Sequence, residues 1–300
     1  MELIEKLKKE NKVIPAISDT IFKRVMTEYK DYLGLILENV MSISSKEVKE
    51  DGIFLNNELP PNHLSLKNSR VDLILKVNNY LINLEANRKF STSLIFRNEA
   101  HFSGIIFNEY AGKEKIGDSK KIYQINFNNY IYETNEIVLT FKYKDESNKI
   151  VDENYVKMHL NLEIVKNKYY NKEELNRFEK ALLLLILEDI EKIKEVVKGD
   201  EILEEVAKGI MSYSEMKAIV DAYQNEIIEE NYKNGLIREA REEAMKQGME
   251  EGIEKGIEQG IEQNKIDTAV MMLKNKLDIE IISKCTGLSI DMISKLKLND

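Results

Sequence analysis

The stretch Arg70–Lys89, RVDLILKVNNYLINLEANRK, decides how this chain reads. Val71–Val77 and Tyr80–Ala86 have strand-like composition and flank Asn78-Asn79, a dipeptide that tolerates the positive φ of a two-residue hairpin turn. Placing Val77 opposite Tyr80 fixes the register: Leu75 meets Ile82, Leu73 meets Leu84, and Asp72 meets Glu85. Side chains alternate along a strand, so Val71, Leu73, Leu75, Val77, Tyr80, Ile82, Leu84 and Ala86 form a core face. The opposite face carries Asp72, Ile74, Lys76, Leu81, Asn83, Glu85 and Asn87. Directly opposed residues have Cβ atoms about 5 Å apart, so the two acids repel unless something compensates. A hard divalent cation does so, Mg²⁺ typically taking one or two carboxylates together with waters and phosphate oxygens. On geometry alone, a solvated polar face with Arg70 and Lys89 neutralising the acids is the alternative.

Asp, then a hairpin spacing, then Glu-x-(Lys or Gln) is the metal-site pattern of the PD-(D/E)XK nuclease superfamily. The chain resembles one branch of it, the Rpn-type recombination-promoting nucleases, or PD-(D/E)XK family transposases. The resemblance rests on Asp19-x-x-Phe22-Lys23 opening the first helix, Arg70-x-Asp72 on one strand and Glu85-x-Asn87 on the next. It continues through an Arg97-bearing helix, the strand Tyr123–Phe127 and the Gly-Ile-Glu-rich tail, and so covers nearly the whole chain. Asn87 stands where the wider superfamily has Lys and this branch usually has Gln.

The resemblance implies an α/β, restriction-endonuclease-like mixed-sheet core flanked by helices, followed by an all-α C-terminal region. It implies a DNA endonuclease that uses Mg²⁺ or Mn²⁺ and is linked to recombination or mobile elements. In that reading Asp72 and Glu85 hold the metal, Asn87 orients water or phosphate, and Lys89 substitutes for the usual Lys if the strand continues. Arg97, Arg70 and Lys23 contact substrate. The alternative is a catalytically weakened or inactive protein that keeps the fold and works as an oligomeric binding or regulatory module. Asn87 favours that alternative, and the retained acids oppose it.

The 300 residues, 43% hydrophobic, suffice for one good core and an appended region. A net charge of −9 is unusual for a protein that binds phosphates. The acidity is uneven, however: residues 1–170 hold 25 Lys and Arg against 24 Asp and Glu, and residues 171–300 hold 19 against 29. A single cysteine, Cys285, excludes an intrachain disulfide framework and fits a reducing, cytoplasmic setting. The longest apolar run, Ala181–Leu187, is too short to cross a bilayer, and the N-terminus lacks the apolar segment of a signal peptide. No Gly-rich loop precedes Lys-Ser or Lys-Thr, so no nucleotide cofactor is expected, and His159 has no Cys or His at zinc-ligand spacing.

Along the chain, the pattern predicts a helix from Asp19, as N-cap, to about Met41, with Phe22 in the core and Glu38 as a further acid candidate. An irregular strand over 47–59 carries another, Glu58. Ser91-Thr92-Ser93 caps a helix from about Leu94 to Tyr110, on which Arg97 and His101 lie one turn apart. Strands are predicted near 121–127, 136–144 and 155–165, the first with a polar face formed by Gln124 and Asn126. One apolar stripe then runs from Leu175 to Ile193 and ends at Gly199-Asp200, before helices near 201–211 and 215–230.

From Ala240 to Gln263 small residues recur every fourth position, beside Met245, Met249, Ile253, Ile257 and Ile261. Four glycines in a helix would each cost about 1 kcal/mol against alanine without close packing on a partner, which predicts a self-associating helix and a homo-oligomer. The domains expected are a nuclease-like domain over 1–170, helices packing on it over 171–235, the repeat helix over 236–264, and a small helix-turn-helix-like tail over 265–300.

Overall fold

Six strands, alternating in side-chain direction, make one mixed sheet in the order β1 (Ile53–Leu55), β4 (Leu73–Val77), β5 (Tyr80–Asn87), β6 (Lys121–Asn128), β8 (Ile150–Asn161), β7 (Val138–Lys144). A separate pair joins β2 (Glu58–Leu59) to β3 (Ser69–Arg70). The computed structural model describes residues 2–55, 58–59, 69–110 and 120–297, with backbone alone at 58–59, 69–70, 151–152 and 297. The chain divides into two compact units, Met1–Ile227 and Ile228–Asp300. Strands β5, β6 and β8 run parallel, while β1, β4 and β7 pair antiparallel with their neighbours. The hairpin keeps the register set by Val77 opposite Tyr80, with Asn78 at φ 48° in the turn.

The pairing stops at Leu73↔Leu84, one residue short of the expected Asp72–Glu85 step. The backbone bends at Asp72, and Val71 crosses to the other face of the sheet. One face, with Leu75, Val77, Ile82, Leu84, Ile125 and Phe127, packs into the main core against helices. The other is apolar at one end, where Ile74, Leu81 and Ile122 meet Phe102 and Ile105 of α5 (Thr92–Tyr110). Further along β5 and β6 the same face turns polar, and it is there that the site forms.

Several helices are shorter than the periodicity suggests. The helix predicted from Asp19 is two, α2 (Asp19–Glu28) and α3 (Lys30–Val40), with Ser18 rather than Asp19 as N-cap. They break at Tyr29, whose hydroxyl packs so closely on Gly209 of α9 (Glu201–Tyr213) that an added Cβ would lie 2.1 Å from it. The strand expected over 47–59 is α4 (Ser45–Asp51) followed by β1, because Ser44 and Glu47 form a reciprocal capping box.

β8 ends at Asn161, where α6 (Leu162–Tyr170) begins. The long stripe after Lys172 divides into α7 (Arg177–Leu184) and α8 (Ile190–Val197). Between them the backbone leaves the helix to accept from Val13 N at Glu188 O and from Ile17 N at Leu185 O, both 2.8 Å, and Asp189 then caps α8. These helices share the main core with the sheet.

Helix α10 (Lys217–Lys274) is continuous for 58 residues, so the period-four glycines do not interrupt it. It begins in the first unit, where Ile219 and Val220 are buried, and ends in the second. There Ala269 joins Ile282 of α11 (Ile279–Thr286) and Ile293 of α12 (Ile290–Lys297) in a small core. Gly287, at φ 72°, ends α11. Among the described residues, no helix is long and apolar enough to cross a membrane.

Candidate functional site: a buried acid pair on a polar sheet floor

Glu85 lies in the middle of β5 and is fully buried. Its Oε1 accepts from Asn83 Nδ2 at 3.0 Å and faces His101 Nδ1 of α5 at 2.8 Å; with Glu85 as acceptor, the ring carries its proton on Nδ1. Its Oε2 has no hydrogen-bond partner. Leaving a buried carboxylate oxygen unpaired is expensive, so the position calls for a proton or a cation.

Asp72 stands beside it. Its Oδ2 accepts from Ala86 N at 2.7 Å, satisfying the strand amide just past the last hairpin pair. Burial and the neighbouring Glu85 push the Asp72 carboxyl up to about 7, against smaller opposing effects from the Ala86 amide and Lys23. Asp19 adds a further push, which brings the first turn of α2 close to the pair. The two carboxylates therefore interact although the ladder does not pair them.

The floor around them is a continuous amide network. Asn83 Nδ2 also donates to Gln124 Oε1 at 3.0 Å, and Gln124 Nε2 to Asn126 Oδ1 at 3.3 Å. From α5, Asn98 Nδ2 reaches Asn126 Oδ1 at 3.0 Å and Asn87 Oδ1 at 3.3 Å. Asn87 Nδ2 donates to Asn128 Oδ1 at 3.0 Å, and Asn128 Nδ2 meets His159 Nδ1 at 3.1 Å. His159 stacks on Tyr132 with ring centroids 4.2 Å apart, and burial lowers its pKa to about 4, so it stays neutral.

The structure brings together only some of the residues singled out from the sequence. Asp72, Glu85 and Asn87 share one region, but the amide of Asn87 is committed to its neighbours rather than turned to solvent. Lys89 lies beyond the end of β5 and is exposed, so the strand does not carry it onto the floor. Arg97 is exposed, near Tyr130; the face of α5 that meets Glu85 presents Asn98 and His101 instead. Lys23 pairs with Asp19 at 2.6 Å and acts on Asp72 through its charge. Glu38 accepts from Ser45 N and Ser45 Oγ at the start of α4. The side chains of Arg70 and Glu58 lie outside the described residues.

The sequence places Asn83 on this face beside Glu85, but Asn98 and Asn128 were not foreseen as parts of the floor. For Asn128 the signal was present: amides recur at every second position over 124–128, as they flank Glu85 at 83 and 87, the spacing of one strand face. Among the described residues, no three His, Cys, Asp or Glu side chains converge as a ready-made metal cluster. Two carboxylates, one with a buried unpartnered oxygen, do fit a hard cation that draws its other ligands from water and substrate. Comparison with family models, with curated proteins and with solved structures finds no match to this chain.

Proposed function

We propose that this protein is a divalent-metal-dependent endonuclease that hydrolyses phosphodiester bonds in DNA. The observation that carries the reading is the fully buried Glu85 with its Oε2 unpartnered, set beside an Asp72 whose carboxyl burial and Glu85 push up to about 7. Asp72 and Glu85 would hold Mg²⁺ or Mn²⁺; such a cation, when bound, lowers the pKa of a water and neutralises charge on the phosphate. His101 and Asn83 orient the Glu85 carboxylate, and the amide network fixes β5 and β6 beneath it. Lys23 supplies positive charge beside Asp72. The sequence resemblance to recombination-promoting nucleases supports a role in recombination or mobile-element chemistry, and a cytoplasmic setting would keep the exposed Cys285 reduced.

A second reading, a non-catalytic oligomeric binding module, draws on Asn87. Its amide is spent within the network, so β5 offers no cation of its own at the position where the superfamily has Lys. Self-association through α10 belongs to both readings, since Met245, Met249, Ile253, Ile257 and Ile261 are all more than half exposed.

Incubation of supercoiled plasmid with the full-length protein separates the two. Nicking that requires Mg²⁺ or Mn²⁺ and stops with chelator supports the endonuclease, provided Asp72→Asn and Glu85→Gln lose it while keeping the wild-type circular dichroism spectrum. No nicking with either metal, or nicking by the double variant at the wild-type rate, leaves the binding module.

A further inference from the structure

The sheet face that carries Glu85 and the amide floor continues onto β8 and β7, and there it becomes aromatic. Glu85, Asn126, His159 and Leu139 lie side by side across four strands. Two residues from that row Lys157 lies opposite Phe141, and beyond them Tyr155 and Tyr143 meet with ring centroids 6.2 Å apart. Phe102 of α5, Phe141, Lys142, Tyr143, Tyr155 and Lys157 line a recess of about 170 Å³. An apolar cavity of about 150 Å³ admits one benzene-sized ring, so this recess has room for a single flat ring system.

The walls are set before any ligand arrives. Phe141 stands at 80° to His159 with centroids 5.6 Å apart, and His159 in turn stacks on Tyr132. Tyr143 stands at 81° to Tyr155, which packs on the cluster of Phe102, Ile105 and Ile122. Both arrangements are favoured edge-to-face contacts that fix the rings. Phe141 and Tyr143 nevertheless stay 36% and 51% exposed. The ladder between β7 and β8 shifts register after Lys142, an irregularity that elsewhere re-aims side chains beside binding sites. At the rim Lys142 is exposed, and Lys157 pairs with Glu99 of α5 at 2.6 Å. Rigid ring faces with cations at their margin match a nucleotide, which has a flat base and an anionic phosphate to either side.

We propose that this recess takes one unpaired base of a DNA strand, so that the substrate is single-stranded where it crosses β7 and β8. The proposal rests on the nuclease reading for its ligand, and the position supports it. β7 is three strands from β5 at about 4.8 Å per strand, and Phe141 is two residues along from the row of Glu85, which puts the recess about 16 Å from that carboxylate. That span is about five nucleotides of a stacked strand and fewer of an extended one. One helix borders both places: Asn98 and His101 of α5 face the floor, while Glu99 and Phe102 border the recess. A base in a duplex must be unpaired and unstacked before it can enter, a cost that a single strand does not carry.

The test is fluorescence anisotropy of labelled oligonucleotides with the full-length protein in chelator. A single strand should bind about tenfold more tightly than a blunt duplex of the same sequence and length. Phe141→Ala and Tyr143→Ala should each weaken single-strand binding about tenfold, the size of loss expected when one base loses one stacking ring, and blunt-duplex binding less than about twofold. Phe141→Tyr and Tyr143→Phe keep a ring and should keep the affinity. Phe141→Leu and Tyr143→Leu, apolar but without a ring face, should lose it as alanine does, and they decide the matter if an alanine variant departs from the wild-type circular dichroism spectrum. Phe107→Ala removes an exposed ring elsewhere on α5 and should change affinity less than about twofold. The proposal is overturned if single strands bind no more tightly than blunt duplex, if the leucine variants bind single strands as well as the wild type, or if Phe107→Ala loses as much as they do. Because binding is read without metal, ring-dependent binding of single strands by a protein that never nicks plasmid removes the nuclease reading and keeps the recess. Metal-dependent nicking by a protein whose single-strand affinity ignores Phe141 and Tyr143 does the reverse.

Discussion

Replacing Asp72 by Asn should free the stability of the metal-free protein from one strong pH dependence. The folded chain pushes this carboxyl from 3.8 up to about 7, through burial and the adjacent Glu85, so the folded state binds the proton more tightly than the unfolded state does. The stabilisation is fully present below about pH 4 and is lost as pH rises through 7. At about 1.4 kcal/mol per unit, the upper limit is about 4 kcal/mol; the side chain keeps some exposure, and about 2 kcal/mol is the working figure. His159 acts with the opposite sign. Its pKa is lowered to about 4, so its contribution is present above 6.5 and is lost as pH falls through 4. The wild-type profile is therefore partly flattened, and the difference between wild type and Asp72→Asn isolates the acid. Asn keeps an oxygen that accepts from Ala86 N. Urea unfolding in chelator between pH 5 and 8 should show Asp72→Asn gaining on wild type by about 2 kcal/mol as pH rises. A difference between the two proteins that does not change with pH would refute the reasoning.

Three further outcomes follow from the same geometry. Strand spacing alone predicts that Asn87→Lys restores a useful cation. With Asn87 buried and bonded to Asn98 and Asn128, it should instead destabilise by about 3 kcal/mol or more, read as a fall in the urea midpoint. His101→Ala should cost about 2 kcal/mol by stripping a donor from buried Glu85, with His101→Gln recovering part of the loss in the same unfolding assay. In the tail, a Cβ added at Gly252 or Gly256 meets nothing within 4 Å of its own chain. Their joint replacement by Leu should raise helicity by up to about 1 kcal/mol per site in circular dichroism, yet weaken self-association in light scattering by holding partner backbones apart. A monomeric full-length protein at tens of micromolar would leave α10 without a partner role.

The hairpin was legible because its information is local: Asn78-Asn79 sets the turn, and the alternation to either side sets the register. What lay beyond local reach was the bend at Asp72, which depends on where the pairing with β5 ends. The same holds for Tyr29, where the chain kinks because Gly209, 180 residues later, leaves room for its ring. The break between α7 and α8 is likewise fixed by distant partners, Val13 and Ile17. At the candidate site, the strand spacing put Glu85 and Asn87 on one face, as β5 does, but did not reveal the state of each side chain. A strand pattern tells which face an amide is on, and cannot tell that α5 covers that face with Asn98 and His101. The contact of Glu226 with the start of α2 is equally non-local, since it arises only where α10 lies beside α2.

The central claim is that Asp72 and Glu85 share a divalent cation, and calorimetric titration with Mn²⁺ near pH 6 tests it most directly. At that pH Asp72 largely keeps its proton, so binding should release one, seen as heat that varies with the ionisation enthalpy of the buffer. Saturable binding with proton release is expected in the wild type, and loss of both in Asp72→Asn/Glu85→Gln. Absence of binding at millimolar Mn²⁺, or binding by the double variant equal to wild type, would contradict it.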